Sequence, residues 1–150
     1  MDKLLIKKLG PLDVKALGDF FSVIFNSTIP KTFHPHLFND QMAITICNEQ
    51  KDLYCSIFLN NKIVGYGMLR GYSEGYSIPS LGVCIHPEYS NFKLGQLLMH
   101  YLHSQAKLLG SNKIRLKVYK NNLQAVHIYT KLGYILEDLN DKELLGFKNL

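Results

Sequence analysis

Residues 81–99 read Leu-Gly-Val-Cys-Ile-His-Pro-Glu-Tyr-Ser-Asn-Phe-Lys-Leu-Gly-Gln-Leu-Leu-Met. The apolar run Leu81 to Ile85 stops at His86-Pro87, because proline cannot extend a strand ladder. A short polar loop, Glu88 to Lys93, leads to helical spacing that opens at Leu94-Gly95. The stretch is therefore a strand feeding a helix N-terminus. The leading amides of a helix lack intrahelical partners and carry partial positive charge, so a phosphate placed there needs no side chain. Gly95 lets the backbone approach such a ligand, or it eases helix–sheet packing.

Outward from this stretch the elements follow by pattern. Lys3 to Leu9 is a first strand. Pro11 suits the first position of a helix, and Leu17, Phe20, Phe21, Ile24 and Phe25 recur at helical spacing up to Asn26. Asn39 or Asp40 caps a second helix that runs to about Asn48. Tyr54 to Leu59 and Ile63 to Tyr72 form a hairpin around Asn60-Asn61. Ile78 to Ile85 is the next strand. The helix from Leu94 to Leu109 buries Leu94, Leu97, Leu98, Tyr101, Leu102, Leu108 and Leu109. Ile114, Leu116 and Val118 alternate with Arg115 and Lys117 in a half-buried strand, whose charged face reads as solvent-facing or as a phosphate site. A short helix from Leu123 to Leu132 stops at Gly133, and strands at Tyr134 to Glu137 and Leu144 to Lys148 close the chain. The order is β-α-α-β-β-β-α-β-α-β-β, an α/β chain forming a single domain over residues 1–150.

Composition narrows the class. At 150 residues the chain can bury a core, and 47% hydrophobic residues argue against disorder. No apolar run is long enough to span a bilayer. The N-terminal Met1 to Lys8 carries its charges too early for a signal peptide. The expectation is a cytoplasmic protein with no membrane partner, monomeric or homodimeric. Cys47, Cys55 and Cys84 lie in apolar contexts without metal-like spacing and read as buried thiols. No Cys/His cluster forms a metal site. The net charge of +5 fits an anionic partner without naming it. No basic-aromatic groove pattern points to nucleic acid.

A second motif is Asn122-x-x-Ala125-x-x-x-Tyr129-x-x-x-Gly133-Tyr134. Its helix turns Tyr129 inward with Ala125, Val126 and Leu132. A tyrosine there is either a packing residue or a proton donor. With the strand–loop–helix of Val83 to Met99, the motif resembles the GCN5-related N-acetyltransferase (GNAT) superfamily, and the order of elements agrees over nearly the whole chain.

The resemblance implies a mixed, mostly antiparallel central sheet that binds acetyl-CoA in a V-shaped split. The backbone of Val83 and Ile85 would bond pantetheine. The loop of Asn91, Phe92, Lys93, Leu94, Gly95 and Gln96 would cradle the pyrophosphate. Asn122 would meet the pantetheine arm or the loop beside it, and Tyr129 would protonate the departing thiolate. The family pattern is Arg or Gln, two residues, Gly, one residue, then Gly or Ala. Here Ser90 and Lys93 stand at the first two of those positions. If the second requires positive φ, lysine costs roughly 1 kcal/mol there.

Attack requires a neutral amine, so a base or water chain must remove a proton. Glu74 and His36 are the candidate bases, and His34, Arg70, Tyr72 and Ser80 are the candidate acceptor-binding residues. A ring of Phe33, His34, Tyr72 and Tyr76 would favour a small ligand over a peptide. His100 and His103 share an outer face with Lys93, Gln96 and Lys107 and read as solvated. The expected activity is acetyl transfer to a small primary amine. His34-Pro35-His36, Gly65 to Gly71 and Ile78 to Gly82 resemble, more loosely, bacterial surface-polysaccharide acetyltransferases, and that resemblance implies an amino sugar or nucleotide-linked amino sugar as the acceptor. The alternatives are a protein or peptide N-acetyltransferase and a non-catalytic acyl-CoA-binding module.

Overall fold

Asn60 and Asn61 both adopt positive φ, 50° and 69°. Asparagine tolerates that region better than other side chains, and a tight hairpin demands it at both turn positions. The turn joins strand β2 (Leu53–Leu59) to β3 (Lys62–Arg70) in a computed structural model that describes residues 1–150. The other strands are β1 (Leu4–Lys8), β4 (Ser80–Ile85), β5 (Lys113–Tyr119), β6 (Ile135–Asp138) and β7 (Glu143–Asn149). The helices are α1 (Val14–Phe25), α2 (Asp40–Cys47), α3 (Leu94–Leu108) and α4 (Leu123–Lys131). The chain order is the one read from the sequence.

The seven strands form one sheet in the order β1-β2-β3-β4-β5-β7-β6. Every neighbouring pair is antiparallel except β4 and β5. Each face carries its own core. Beneath α1 and α2 lie Leu17, Phe20, Phe21, Ile24, Ala43 and Ile46, packed on Tyr54, Phe58, Tyr66, Met68 and Cys84. That cluster draws on no residue of β5, β6 or β7. On the other face Leu94, Leu98, Met99, Leu102 and Ala106 of α3 pack on Ile57, Leu81, Ile114, Leu116 and Val118. No helix is long and apolar enough to cross a membrane.

Local signals explain the boundaries. Asn39, not Asp40, caps α2, its side-chain oxygen accepting the Met42 amide at 2.8 Å. The α4 helix ends in a Schellman motif: Gly133 donates to Thr130 and Tyr134 to Tyr129, with Gly133 at φ +96°. Two apolar stripes differ from expectation. Phe25 is 66% exposed, because one residue past Ile24 the helix has turned about 100° away from the sheet. In α3 the buried row is Leu94, Leu98, Leu102 and Ala106 with Met99 beside it, an i, i+4 row. Leu97, Leu108 and Leu109 fall off that row and are exposed, and Tyr101 is half-buried.

Candidate active site

Strands β4 and β5 start together and part. Ser80 pairs with Arg115, and the Arg115 amide donates to the Pro79 carbonyl at 3.0 Å. No further pairing joins the two strands. The pleat decides what faces the opening. His86 donates to Val64 at 2.9 Å, and Ile85 lies opposite Gly65. In an antiparallel ladder this parity turns the N–H and C=O of Ile85, and of Val83 two residues earlier, away from β3 and toward β5. The split therefore offers one edge of unpaired backbone to an extended ligand.

The loop beyond β4 supplies donors. Pro87–Tyr89 makes one 3-10 turn, and the His86 Nδ1 accepts the Glu88 amide at 3.2 Å. Lys93, at φ 58°, is the N-cap of α3 and offers no side-chain cap. The first intrahelical bond of the loop–helix junction runs from the Leu97 amide to the Lys93 carbonyl at 3.2 Å. The amides of Leu94, Gly95 and Gln96 stand ahead of it as free donors. A Cβ on Gly95 would meet Ile85 Cγ1 at 3.7 Å, an ordinary contact. Tight helix–sheet packing therefore does not require glycine there. Phe92 is exposed at the tip of the loop, beside Tyr89.

Tyr129 packs on the α3 face of the sheet, its ring 6.0 Å from that of Tyr134. Burial pushes its phenol above the ordinary tyrosine range. The Tyr134 hydroxyl is taken by His103 Nε2 at 2.7 Å, whereas the Tyr129 hydroxyl meets no protein partner. Asn122 caps α4, its side-chain oxygen accepting the Ala125 amide at 3.3 Å. Cys84 lies on the opposite face, in the α1/α2 core, with its thiol pushed up to about 12 by burial. All three cysteines are buried free thiols.

On the α1/α2 face the sheet is left open beside β5, and a cleft of about 370 Å³ forms there. Phe33 and His34 come from the α1–α2 connection, Arg70 and Met68 from β3, Ser80 and Gly82 from β4. Arg115, Lys117 and Tyr119 of β5 and Glu143 of β7 complete it. His34 Nε2 lies 2.8 Å from the Tyr119 hydroxyl, and an Arg70 Nη donates to the Pro35 carbonyl at 2.8 Å.

Of the residues expected around the acceptor, His34, Arg70 and Ser80 meet in this cleft. Tyr72 does not: its hydroxyl is bonded to Ser111 at 2.8 Å, and it packs on the α3 face. Tyr76 lies against Gly71, so the expected aromatic ring is only half formed, by Phe33 and His34. Glu74 is exposed on a 3-10 turn outside the lining. His36 is held at both ring nitrogens, Nδ1 to the Leu37 carbonyl at 2.8 Å and Nε2 to the Tyr66 hydroxyl at 2.9 Å. A carbonyl only accepts, so Nδ1 donates and Nε2 receives the Tyr66 proton. Burial lowers the His36 pKa, and its partners occupy the lone pair a base would need. Tyr119 and Glu143 were not found from the sequence, although the alternation of β5 already set Tyr119 on the Arg115–Lys117 face.

The sequence profile of the acetyltransferase (GNAT) family matches residues 21–134. No curated protein sequence matches the chain. Similar folds occur in solved structures. A PaiA N-acetyltransferase from Thermoplasma acidophilum, in complex with coenzyme A, has TM-score 0.80 and 19% identity, covering 99% of both chains. A ribosomal-protein alanine N-acetyltransferase from Escherichia coli has TM-score 0.75 and 15% identity, covering 98% of this chain and 94% of that one. A spermidine N-acetyltransferase chimera from Vibrio cholerae and hSSAT has TM-score 0.77 and 14% identity, covering 97% of this chain and 95% of that one. At these identities the likeness is one of fold.

Proposed function

This chain belongs to the acetyltransferase (GNAT) family, and from that premise we propose that it transfers acetyl from acetyl-CoA to a small primary amine, an amino sugar or nucleotide-linked amino sugar. It is an acyltransferase, with acetyl-CoA as its cosubstrate. The observation that carries the reading is the parting of β4 from β5, with the unpaired backbone of Val83 and Ile85 in the opening and free amides at its mouth.

The residues present fit the cosubstrate. Val83 and Ile85 would bond the pantetheine arm as an added strand would. The amides of the loop from Asn91 to Gln96 would hold the pyrophosphate. Acetyl-CoA supplies an acetyl group activated as a thioester. The Val83 amide would polarise its carbonyl. Tyr129 keeps a proton on its oxygen for the departing sulfur, and its raised pKa keeps that proton in place through neutral pH. On the acceptor side His34, with its bond to Tyr119, is the group we assign to take the amine proton, since an imidazole can act as a base near neutral pH. The cleft that holds His34 is lined by Leu81 and Gly82, next to Val83 on β4, so amine and thioester would meet at that strand.

Isothermal titration with acetyl-CoA, followed by an amine screen read by thiol release, tests the reading. Saturable one-site binding with turnover of an amine is expected. Absence of binding at millimolar acetyl-CoA would overturn it and leave an acyl-binding module without this donor. His34→Gln should slow turnover at unchanged acetyl-CoA affinity, and unaltered turnover would remove His34 as the base.

A further inference from the structure

We propose that the amine accepted by this cleft also carries an anionic group, a carboxylate or a phosphate, which Arg115 and Lys117 bind with Arg70 beside them. The proposal rests on the acetyltransferase reading above and narrows its acceptor. Its first support is charge. Arg70, Arg115 and Lys117 line one cleft against the single carboxylate of Glu143, whose Oε1 already accepts the Asn140 amide at 3.2 Å. None of the three cations is in an ion pair: the pairs of this chain are Lys7–Asp13, Lys15–Asp19 and Lys120–Asp138.

The second support is register. Arg70 lies opposite Ser80 across β3 and β4, and Ser80 lies opposite Arg115 across β4 and β5. The two arginines therefore flank one serine in a single row across the sheet, and Lys117 follows Arg115 by two residues on the same face. Like charges gathered on one face of the sheet repel unless a counter-charge joins them. The third support is an unmet donor. The Arg115 Nε is buried and has no hydrogen-bond partner in the chain. A buried guanidinium N–H without an acceptor is costly. A turn of the guanidinium toward the cleft would let an oxyanion satisfy it while pairing the charge.

Three residues set the other end of the cleft. His34 and Tyr119 close one wall, and Glu143 lies across from Tyr119 on β7. An acceptor would thus place its acid group at the Arg70–Ser80–Arg115 row and its amine toward His34. A polyamine meets the opposite field: its charges face three cations and one carboxylate.

The experiment compares matched acceptors at saturating acetyl-CoA: glucosamine 1-phosphate against glucosamine, β-alanine against β-alaninamide, and spermidine as the cationic control. We expect kcat/KM at least tenfold higher for the anionic member of one pair, and the winning pair tells phosphate from carboxylate. Arg115→Gln and Lys117→Gln should each erase most of that preference by raising KM, with acetyl-CoA affinity by calorimetry unchanged. A second readout needs no turnover. With coenzyme A saturating the donor site, phosphate or acetate should raise the melting temperature of the wild type and fail to raise that of Arg115→Gln. Equal use of the neutral or cationic amines would overturn the proposal, as would the absence of any Arg115-dependent anion effect. Failure of acetyl-CoA to bind would instead overturn the acetyltransferase reading, since the anion titration can be run without coenzyme A.

Discussion

Single residues in this chain separate strain from chemistry. Lys93 holds φ 58° where a glycine would be at ease, and a side chain in the left-handed region costs roughly 1–2 kcal/mol. Lys93→Gly should therefore stabilise the fold by about 1 kcal/mol in denaturant melts, less the greater freedom of glycine when unfolded. Coenzyme A affinity should hold, because the free donors are amides of Leu94, Gly95 and Gln96 and not the ammonium. A tenfold weaker Kd, about 1.4 kcal/mol, would make Lys93 a phosphate ligand. Tyr129 is the converse case. Removing only its hydroxyl in Tyr129→Phe leaves the ring against Tyr134. We expect kcat to fall by about 10²-fold or more, the usual weight of a general acid, with coenzyme A affinity unchanged. Unaltered kcat would show that another group protonates the sulfur.

At the scale of elements, the α4 helix aims Tyr129 and the glycine after it holds the aim. The Tyr134 amide bonds to the Tyr129 carbonyl at 3.0 Å only because Gly133 takes φ +96° between them. A Cβ at Gly133 would also stand 3.0 Å from the Lys148 ammonium, which can move aside. Gly133→Ala should then cost about 1 kcal/mol of stability through backbone strain and lower kcat while sparing coenzyme A binding. Stability and kcat both at wild-type level would remove the motif from the mechanism. Such boundaries were legible in the sequence because each rests on a local signal: the Asn60-Asn61 turn, the Asn39-Asp40 pair ahead of α2, the glycine after α4. The phase of α3 was less legible. Leucines at 94, 97, 98, 102, 108 and 109 satisfy a broad helical stripe, and only docking on Gly67, where a Cβ would meet Leu102 and Leu98 within 3.1 Å, selects the 94-98-102 row.

At the scale of the whole molecule, the least legible feature was which sheet face the helices leave bare. Alternation in β5 puts Arg115, Lys117 and Tyr119 together, but only the reach of α1 and α2, which stops at β4, turns that face into a cleft. The histidines illustrate the same limit. His103, expected among solvated residues, is half-buried and bonded to Tyr134, because Tyr134, between α4 and β6, packs its ring against that side of α3. Its pKa is pulled down to about 4 by burial, with the Lys148 and His100 charges adding to it. Burial also lowers His36 and His86. All three shifts have one sign, so the unfolded chain, with imidazoles near 6.5, binds more protons than the folded one between that value and the lowered ones. Stability present above pH 6.5 is thus lost as the pH falls toward about 4, where His103 itself charges. Protonating His36 would also set an N–H against the Tyr66 hydroxyl inside the aromatic cluster of Phe21 and Phe38. Melting temperatures between pH 7 and pH 4 should fall steadily, and His103→Gln should flatten part of that slope, although its lost packing lowers the plateau at pH 7. A slope identical in the variant would mean that His103 does not carry the acid sensitivity.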